Sequence, residues 1–181
     1  LMSLANGESV MLTAPGQTVR DTAISPDGSL LAYSLALNGG DSEIRLIDLN
    51  SGEESTLMTC PEAYCAGLIW APDGESLLYE RVNLFATDAI GSINTLWWLQ
   101  ALDGRTDPVF TDSSMPAYAA SLSPDGQWLS YNTAQAGQVR LYNLETGMNI
   151  ALPVQLGTPI LWAPDSRQFF VREMFVDDVN T

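Results

Sequence analysis

Histidine is absent from this sequence, and so is lysine; all seven basic residues are arginines. Without histidine there is no Ser-His-Asp triad, no Cys-His pair and no histidine-containing metal site. Without lysine there is no Schiff-base chemistry and no phosphate loop of the Gly-Lys-Ser/Thr type. Positive charge is scarce: 22 acidic residues against seven arginines leave a net charge of −15 over 181 residues. A nucleic-acid or anionic-membrane surface needs clustered cations, so neither partner is expected. The acid excess reads mainly as a solvated shell that maintains solubility. No apolar run approaches the eighteen or so residues of a membrane helix, and no membrane insertion is expected. No signal peptide is visible.

Cysteine is nearly absent too. Cys60 and Cys65 are the only two, in Cys60-Pro61-Glu62-Ala63-Tyr64-Cys65. Two thiols without histidine make a poor zinc site. Two readings stay open: a local disulfide formed in an oxidising compartment, or two independent, half-buried small residues. Pairing requires the Cα atoms to come within about 7 Å.

What the chain has in abundance is one phrase. It reads Ser25-Pro26-Asp27-Gly28, Ala71-Pro72-Asp73-Gly74, Ser123-Pro124-Asp125-Gly126 and Ala163-Pro164-Asp165-Ser166, with spacings of 46, 52 and 40 residues between the prolines. Pro presets φ at the second turn position, Asp bonds the local backbone, and Gly accepts a positive φ on entry to the next strand. Three residues past the turn glycine come Leu31, Leu77 and Leu129, with Phe169 in the last copy; five past it come Tyr33, Tyr79 and Tyr131, then Val171. Two apolar positions with one residue between them describe a strand face.

A second turn recurs at Ser51-Gly52, Asp103-Gly104 and Thr146-Gly147. The strands before it, 44–49, 96–101 and 139–144, are apolar on both faces for much of their length. A sheet held between two neighbouring sheets has that composition, and units of roughly 40–50 residues with several strands point to propeller blades. Each unit then has four strands, the first rich in small residues (Ala23, Gly67, Ala120), as crowding around an axis would require.

The expected fold is therefore all-β: a β-propeller of four blade equivalents, each a four-stranded antiparallel meander. The expected boundaries are a half blade at 1–13 (third and fourth strands), blades at 18–59, 65–112 and 117–156, and a half blade at 158–181 (first and second strands). The two halves could close a four-bladed ring, or the chain could be an arc of a larger propeller. The arc is favoured, because four blades are the low end of the range and an uncovered blade edge is an aggregation hazard. Further blades from the rest of the chain, or a second copy, would then cover its ends.

Trp70-Ala71-Pro72-Asp73-Gly74 followed by Leu77-x-Tyr79, and Trp162-Ala163-Pro164-Asp165, resemble the WD-like repeats of TolB-type β-propellers and of the propellers that precede the catalytic domain in prolyl-oligopeptidase-type peptidases. Ile24 and Leu122 stand where such repeats often have Trp, and Ser166 where they have Gly. The resemblance covers essentially the whole chain and implies the fold; it transfers no catalytic residue, and propellers host many functions. No enzyme activity, cofactor or metal is expected.

Function is expected where the blades differ. The Pro-Asp and second-glycine turns share one face of a propeller and are short here. The loops of the other face vary, as binding loops on a rigid scaffold do. They offer Asp41, Glu62, Tyr64, Phe85, Asp88, Asp112 and Tyr118, a mixture of acids and aromatics suited to a protein or peptide partner. The acids lack the spacing of a calcium loop, and the sequence places no carboxyl pair for glycoside hydrolysis. Two functions follow: a non-catalytic, extracytoplasmic binding or scaffold module (periplasmic, secreted or at the cell surface), or an accessory propeller that screens access to a serine peptidase domain outside this sequence.

Overall fold

Each Pro-Asp phrase closes a hairpin in the computed structural model, which describes residues 7–83, 94–133, 138–155 and 160–171. In every copy the fourth turn residue donates its N–H to the carbonyl of the first: Gly28 to Ser25 and Gly74 to Ala71 at 2.9 Å, Gly126 to Ser123 at 2.8 Å, Ser166 to Ala163 at 3.0 Å. The Asp carboxylate accepts the N–H two residues on, from Ser29, Glu75, Gln127 and Arg167. That bond holds the corner shut locally. The fourth residue has positive φ in all four, including Ser166 at 58°.

The hairpins organise the described residues into fourteen strands. The first sheet contains β1 (Thr18–Ile24), β2 (Leu30–Ala36), β3 (Ser42–Asp48) and β4 (Glu54–Cys60). The second contains β5 (Ala63–Trp70), β6 (Ser76–Asn83), β7 (Asn94–Gln100) and β8 (Thr106–Pro108). The third contains β9 (Tyr118–Leu122), β10 (Trp128–Asn132), β11 (Gln138–Asn143) and β12 (Asn149–Gln155). A two-stranded sheet, β13 (Leu161–Trp162) and β14 (Phe169–Phe170), follows. Strand order within each sheet is sequential and all pairings are antiparallel. Among the described residues one 3₁₀ turn, Asn38–Gly40, interrupts the strands.

The core lies between the sheets, in layers. Ala32, Ile44 and Leu46 of the first sheet meet Trp70, Leu77 and Tyr79 of the second. Leu78 and Leu96 of the second meet Leu129 and Tyr131 of the third. Val139 and Leu141 of the third meet Ile160, Trp162 and Phe169. The Leu-x-Tyr residues thus face the preceding sheet, and their neighbours face the following one. This explains why the strands are apolar on both sides, and it is the blade stacking of a β-propeller. The tyrosine hydroxyls find partners at the sheet's outer strand: Tyr33 donates to Glu54 at 2.6 Å, and Tyr131 accepts from Asn149 at 2.8 Å.

Polar bonds fasten one sheet to the next. The Ser42 hydroxyl donates to the Ala63 carbonyl and accepts the Cys65 N–H, each at 2.9 Å, and Ser34 donates to the Cys65 carbonyl. The Trp70 indole N–H donates to the Ala23 carbonyl at 3.0 Å. On the turn face successive corners touch: a Cβ on Gly126 would lie 3.0 Å from Pro72, and the Ser166 hydroxyl accepts the Asp125 N–H at 3.0 Å.

The inner strands of the three four-stranded sheets each carry a β-bulge, at the same repeat position in the second and third and one residue earlier in the first. The register slips between Val19 and Asp21, between Ala66 and Ile69, and opposite Ser130 to Asn132. Gly67 and Ala119, equivalent residues, both have positive φ there, 65° and 49°. A small residue is required at Gly67 for a specific reason: a Cβ would lie 2.9 Å from Glu80 Cγ.

At the N-terminus, Ser9 forms an isolated bridge and Leu12 packs against the outer face of the first sheet, beside Tyr33, Leu35 and Ile47. The expected third strand of the first half blade lies outside the described residues.

Candidate functional site: the variable-loop face

Each inner strand runs toward its Pro-Asp corner, so its first residues lie at the opposite end of the sheet. The pairings Thr18 with Ala36, Ala63 with Asn83, and Tyr118 with Asn132 bring those beginnings beside the ends of the second strands. The connections 37–41, 61–62 and 109–117 therefore open on one face. Phe85 and Asp88, in the connection 84–93, lie outside the described residues.

Asp41 and Glu62 meet directly. The Asp41 carboxylate accepts the Glu62 N–H at 2.8 Å. Glu62 occupies the two-residue turn between β4 and β5 with φ of 52°, and its side chain is exposed. Beneath this turn Cys60 and Cys65 form a disulfide, with Cα atoms 6.3 Å apart and both residues fully buried. The bond staples the last strand of the first sheet to the first strand of the second.

Tyr64, between Ala63 and Cys65, turns its ring outward and carries the Arg20 guanidinium 3.9 Å above its centroid. Arg20 lies at the β1 bulge. Arg81, paired across the strands with Cys65, donates from Nε to Asn83 at 3.2 Å and from Nη2 to the Pro61 carbonyl at 3.4 Å. Neither arginine was singled out by the repeat pattern. The signal was their rarity on so acidic a chain, and it shows only once Tyr64 is seen to lie under Arg20.

Asp112 and Tyr118 belong to the connection from the second sheet to the third. Asp112 is exposed and accepts the Ser114 hydroxyl at 2.6 Å and its N–H at 3.0 Å, which hold its carboxyl below the ordinary range. Tyr118 begins β9 and is half-buried. Among the described residues no hydrogen bond or ring contact joins these two to the Asp41–Glu62–Tyr64 group. Phe110, two residues before Asp112, is buried against Tyr131 and Tyr142, at centroid distances of 4.9 and 5.2 Å, and anchors this connection.

Two further carboxylates reach between sheets. Asp21 accepts the Leu68 N–H at 2.7 Å, and Glu80 accepts the Ala120 N–H at 3.4 Å. Leu68 and Ala120 are equivalent bulge residues. Burial pushes the Glu80 carboxyl up, and the negative charge of Asp21 adds to the shift. Both groups are occupied by backbone amides, which gives them a scaffold role. Among the described residues no group of three or more acidic or cysteine side chains is placed to hold a metal ion. Nor is any helix there long and apolar enough to cross a membrane.

Sequential four-stranded meanders stacked face to face, with a repeated turn face and a variable loop face, define a β-propeller. Residues 12–99 match the family model of the prolyl oligopeptidase N-terminal β-propeller domain. The chain is 30% identical over 129 residues to Atu1656, an uncharacterized protein of Agrobacterium fabrum; the match covers 68% of this chain and 39% of that protein. The chain thus spans about two fifths of the length of this curated relative. Among solved structures it is similar to TolB of Acinetobacter baumannii, with a TM-score of 0.70 at 17% identity, covering 93% of this chain and 41% of that one. It is also similar to a structure from a study of two prolyl endopeptidases, with a TM-score of 0.64 at 20% identity, covering 86% and 25%. The resemblance to TolB-type and prolyl-oligopeptidase-type propellers, read from the repeats, is met on both sides, and the structural likenesses concern the fold.

Proposed function

We propose that this chain is a non-catalytic binding module that holds a protein or peptide on its variable-loop face. The supporting observation is the difference in construction between the two faces. The turn face is four near-copies of one corner whose polar groups bond one another. The loop face presents different side chains on rigid supports: Asp41 and Glu62 joined by a hydrogen bond, Tyr64 flanked by a buried disulfide, and the 109–117 connection anchored by Phe110. Aromatic and charged groups held in this way give contact area with little ordering cost on binding.

The test is selection of binding peptides from a displayed random library against the whole chain. Peptides selected in this way are expected to lose binding to Tyr64→Ala and Asp112→Ala variants and to keep binding to Asp73→Ala on the turn face. Peptides that respond to the turn-face change alone would overturn the reading.

The match to a peptidase propeller favours a second reading, in which this module screens substrate access to a serine peptidase domain outside the sequence. Reading the gene on either side decides between them: an α/β domain with a serine nucleophile and a histidine supports the second reading, and its absence the first.

The buried disulfide supports an extracytoplasmic location, since such bonds persist in oxidising compartments. The faces of the terminal sheets support cover by further blades. Ile24 is 56% exposed where its repeat equivalent Trp70 is 7% exposed, and Phe170 is 67% exposed where its equivalent Leu78 is fully buried.

A further inference from the structure

We propose that Arg20, seated over the ring of Tyr64, forms a carboxylate-binding subsite on the loop face, and that its ligand is a peptide carboxylate flanked by basic or neutral residues. The inference rests on the loop-face reading and names the chemistry of its partner.

Three arginines of this acidic chain have side-chain partners of their own. Arg45 is held by Glu43 at 2.6 Å and Glu54 at 2.7 Å, and Arg105 by Asp107 at 3.2 Å. Arg140 donates to Asn149 at 2.8 Å. On the loop face, Arg20 and Arg81 have no carboxylate within ion-pair reach among the described residues. What sets Arg20 apart is its seat over an aromatic ring, the one such pairing among the described residues.

The stacking defines what Arg20 can take. A guanidinium centred 3.9 Å above a ring satisfies the π-system and keeps N–H donors for a carboxylate. Tyr64 is a stiff base for it, because the flanking Ala63 carbonyl and Cys65 N–H are both bonded to Ser42 and Cys65 is in the disulfide.

The surrounding acids set the rest of the specificity. Asp21 and Asp41 are carboxylates bonded to backbone amides, and Glu62 is exposed. A free anion gains no long-range attraction from such a surface. A carboxylate on a basic peptide does, since its flanking cations meet the acids while the fork meets Arg20.

The test uses calorimetric titration of the whole chain at low salt with three probe peptides: Lys-Ala-Lys-Ala-Phe with a free C-terminus, the same peptide as its amide, and acetyl-Lys-Ala-Asp-Ala-Lys-amide. One of the two carboxylate peptides is expected to bind about tenfold tighter than the amide, equivalent to one good charged fork. Which one does so tells a chain terminus from an acidic side chain. Arg20→Gln is expected to abolish the preference, Arg20→Lys to restore only part of it, Tyr64→Phe to keep it and Tyr64→Leu to weaken it, each with an unchanged circular dichroism spectrum. Equal binding of amide and carboxylate peptides, or a preference that survives Arg20→Gln, would overturn the subsite. Binding that depends on Tyr64 but ignores the carboxylate would do so while leaving the loop-face function standing.

Discussion

The Asp21 carboxylate of the first sheet accepts the Leu68 amide of the second across 2.7 Å, at a bulge where the inner strand's own ladder leaves that amide without a partner strand. The side chain of one blade thus completes the backbone of the next. Replacing Asp21 by Ala strands the amide in a half-buried position, and the expected loss is about 1–3 kcal/mol. Urea unfolding would show this as a lowered midpoint at constant slope. Asp21→Asn, which keeps an acceptor oxygen, is expected to lose less.

Gly67 and Ala119 occupy equivalent bulge positions in the left-handed region, one with a residue suited to it and one without. Gly67→Ala adds both backbone strain and a contact with Glu80, and is expected to destabilise by about 1–2 kcal/mol. Ala119→Gly removes the strain and is expected to stabilise by up to about 1 kcal/mol after the entropic cost of glycine. Opposite signs for the two substitutions in thermal unfolding are the outcome to look for. The same sign for both would mean that the bulges are not equivalent.

The Cys60–Cys65 bond closes a short loop, and in the chain-entropy account its removal costs about 2 kcal/mol. A Cys60→Ser, Cys65→Ser double variant should unfold at correspondingly lower denaturant. Because both residues are fully buried, thiol labelling of the native wild-type protein under mild reductant should be slow, and should become fast once urea opens the structure.

Two carboxyls should respond to pH with opposite signs. Burial raises Glu80 above the ordinary 4.5, so the folded protein holds that proton more tightly than the unfolded chain does. Its contribution to stability is present below the unfolded value and is lost as pH rises through the folded one. Asp27 is lowered to about 2, first by the Ser25 hydroxyl and then by the Ser29 amide and hydroxyl. Its contribution is present above the unfolded value of 3.8 and is lost as pH falls toward 2. Glu80→Gln is therefore expected to gain stability over wild type near neutral pH and to lose that advantage in acid. Carboxyl carbon shifts in NMR titration would follow Asp27 to about 2 directly.

The corners and strand faces were legible because their causes are local. Pro26, Asp27 and Gly28 make their turn with each other, and Leu31 and Tyr33 differ from Ser34 simply by which face of the strand they occupy. The bulges left a fainter mark. Gly67 looked like one of several small inner-strand residues, whereas its real constraint is Glu80, a side chain on the neighbouring strand of the same sheet. Ala119 has no sequence sign of its positive φ, since the conformation is set by the sheet it packs on. On the loop face, Asp41, Glu62 and Tyr64 were marked by loop variation, but Arg20 was not: its role depends on Tyr64, a residue of the next blade that no repeat spacing pairs with it. Phe110 was likewise invisible as an anchor until Tyr131 and Tyr142 closed around it.

The corner-to-corner contacts of Gly126 with Pro72, and of Ser166 with Asp125, make the two ends of this molecule unequal as evolutionary material. Lengthening any Pro-Asp corner by one residue would push its neighbour aside, and the disturbance would pass from blade to blade. Lengthening a connection at the far end, such as 109–117, costs little more than the slow logarithmic growth of loop closure. New specificities can therefore be written into this scaffold from one side, while the other keeps the blades in register.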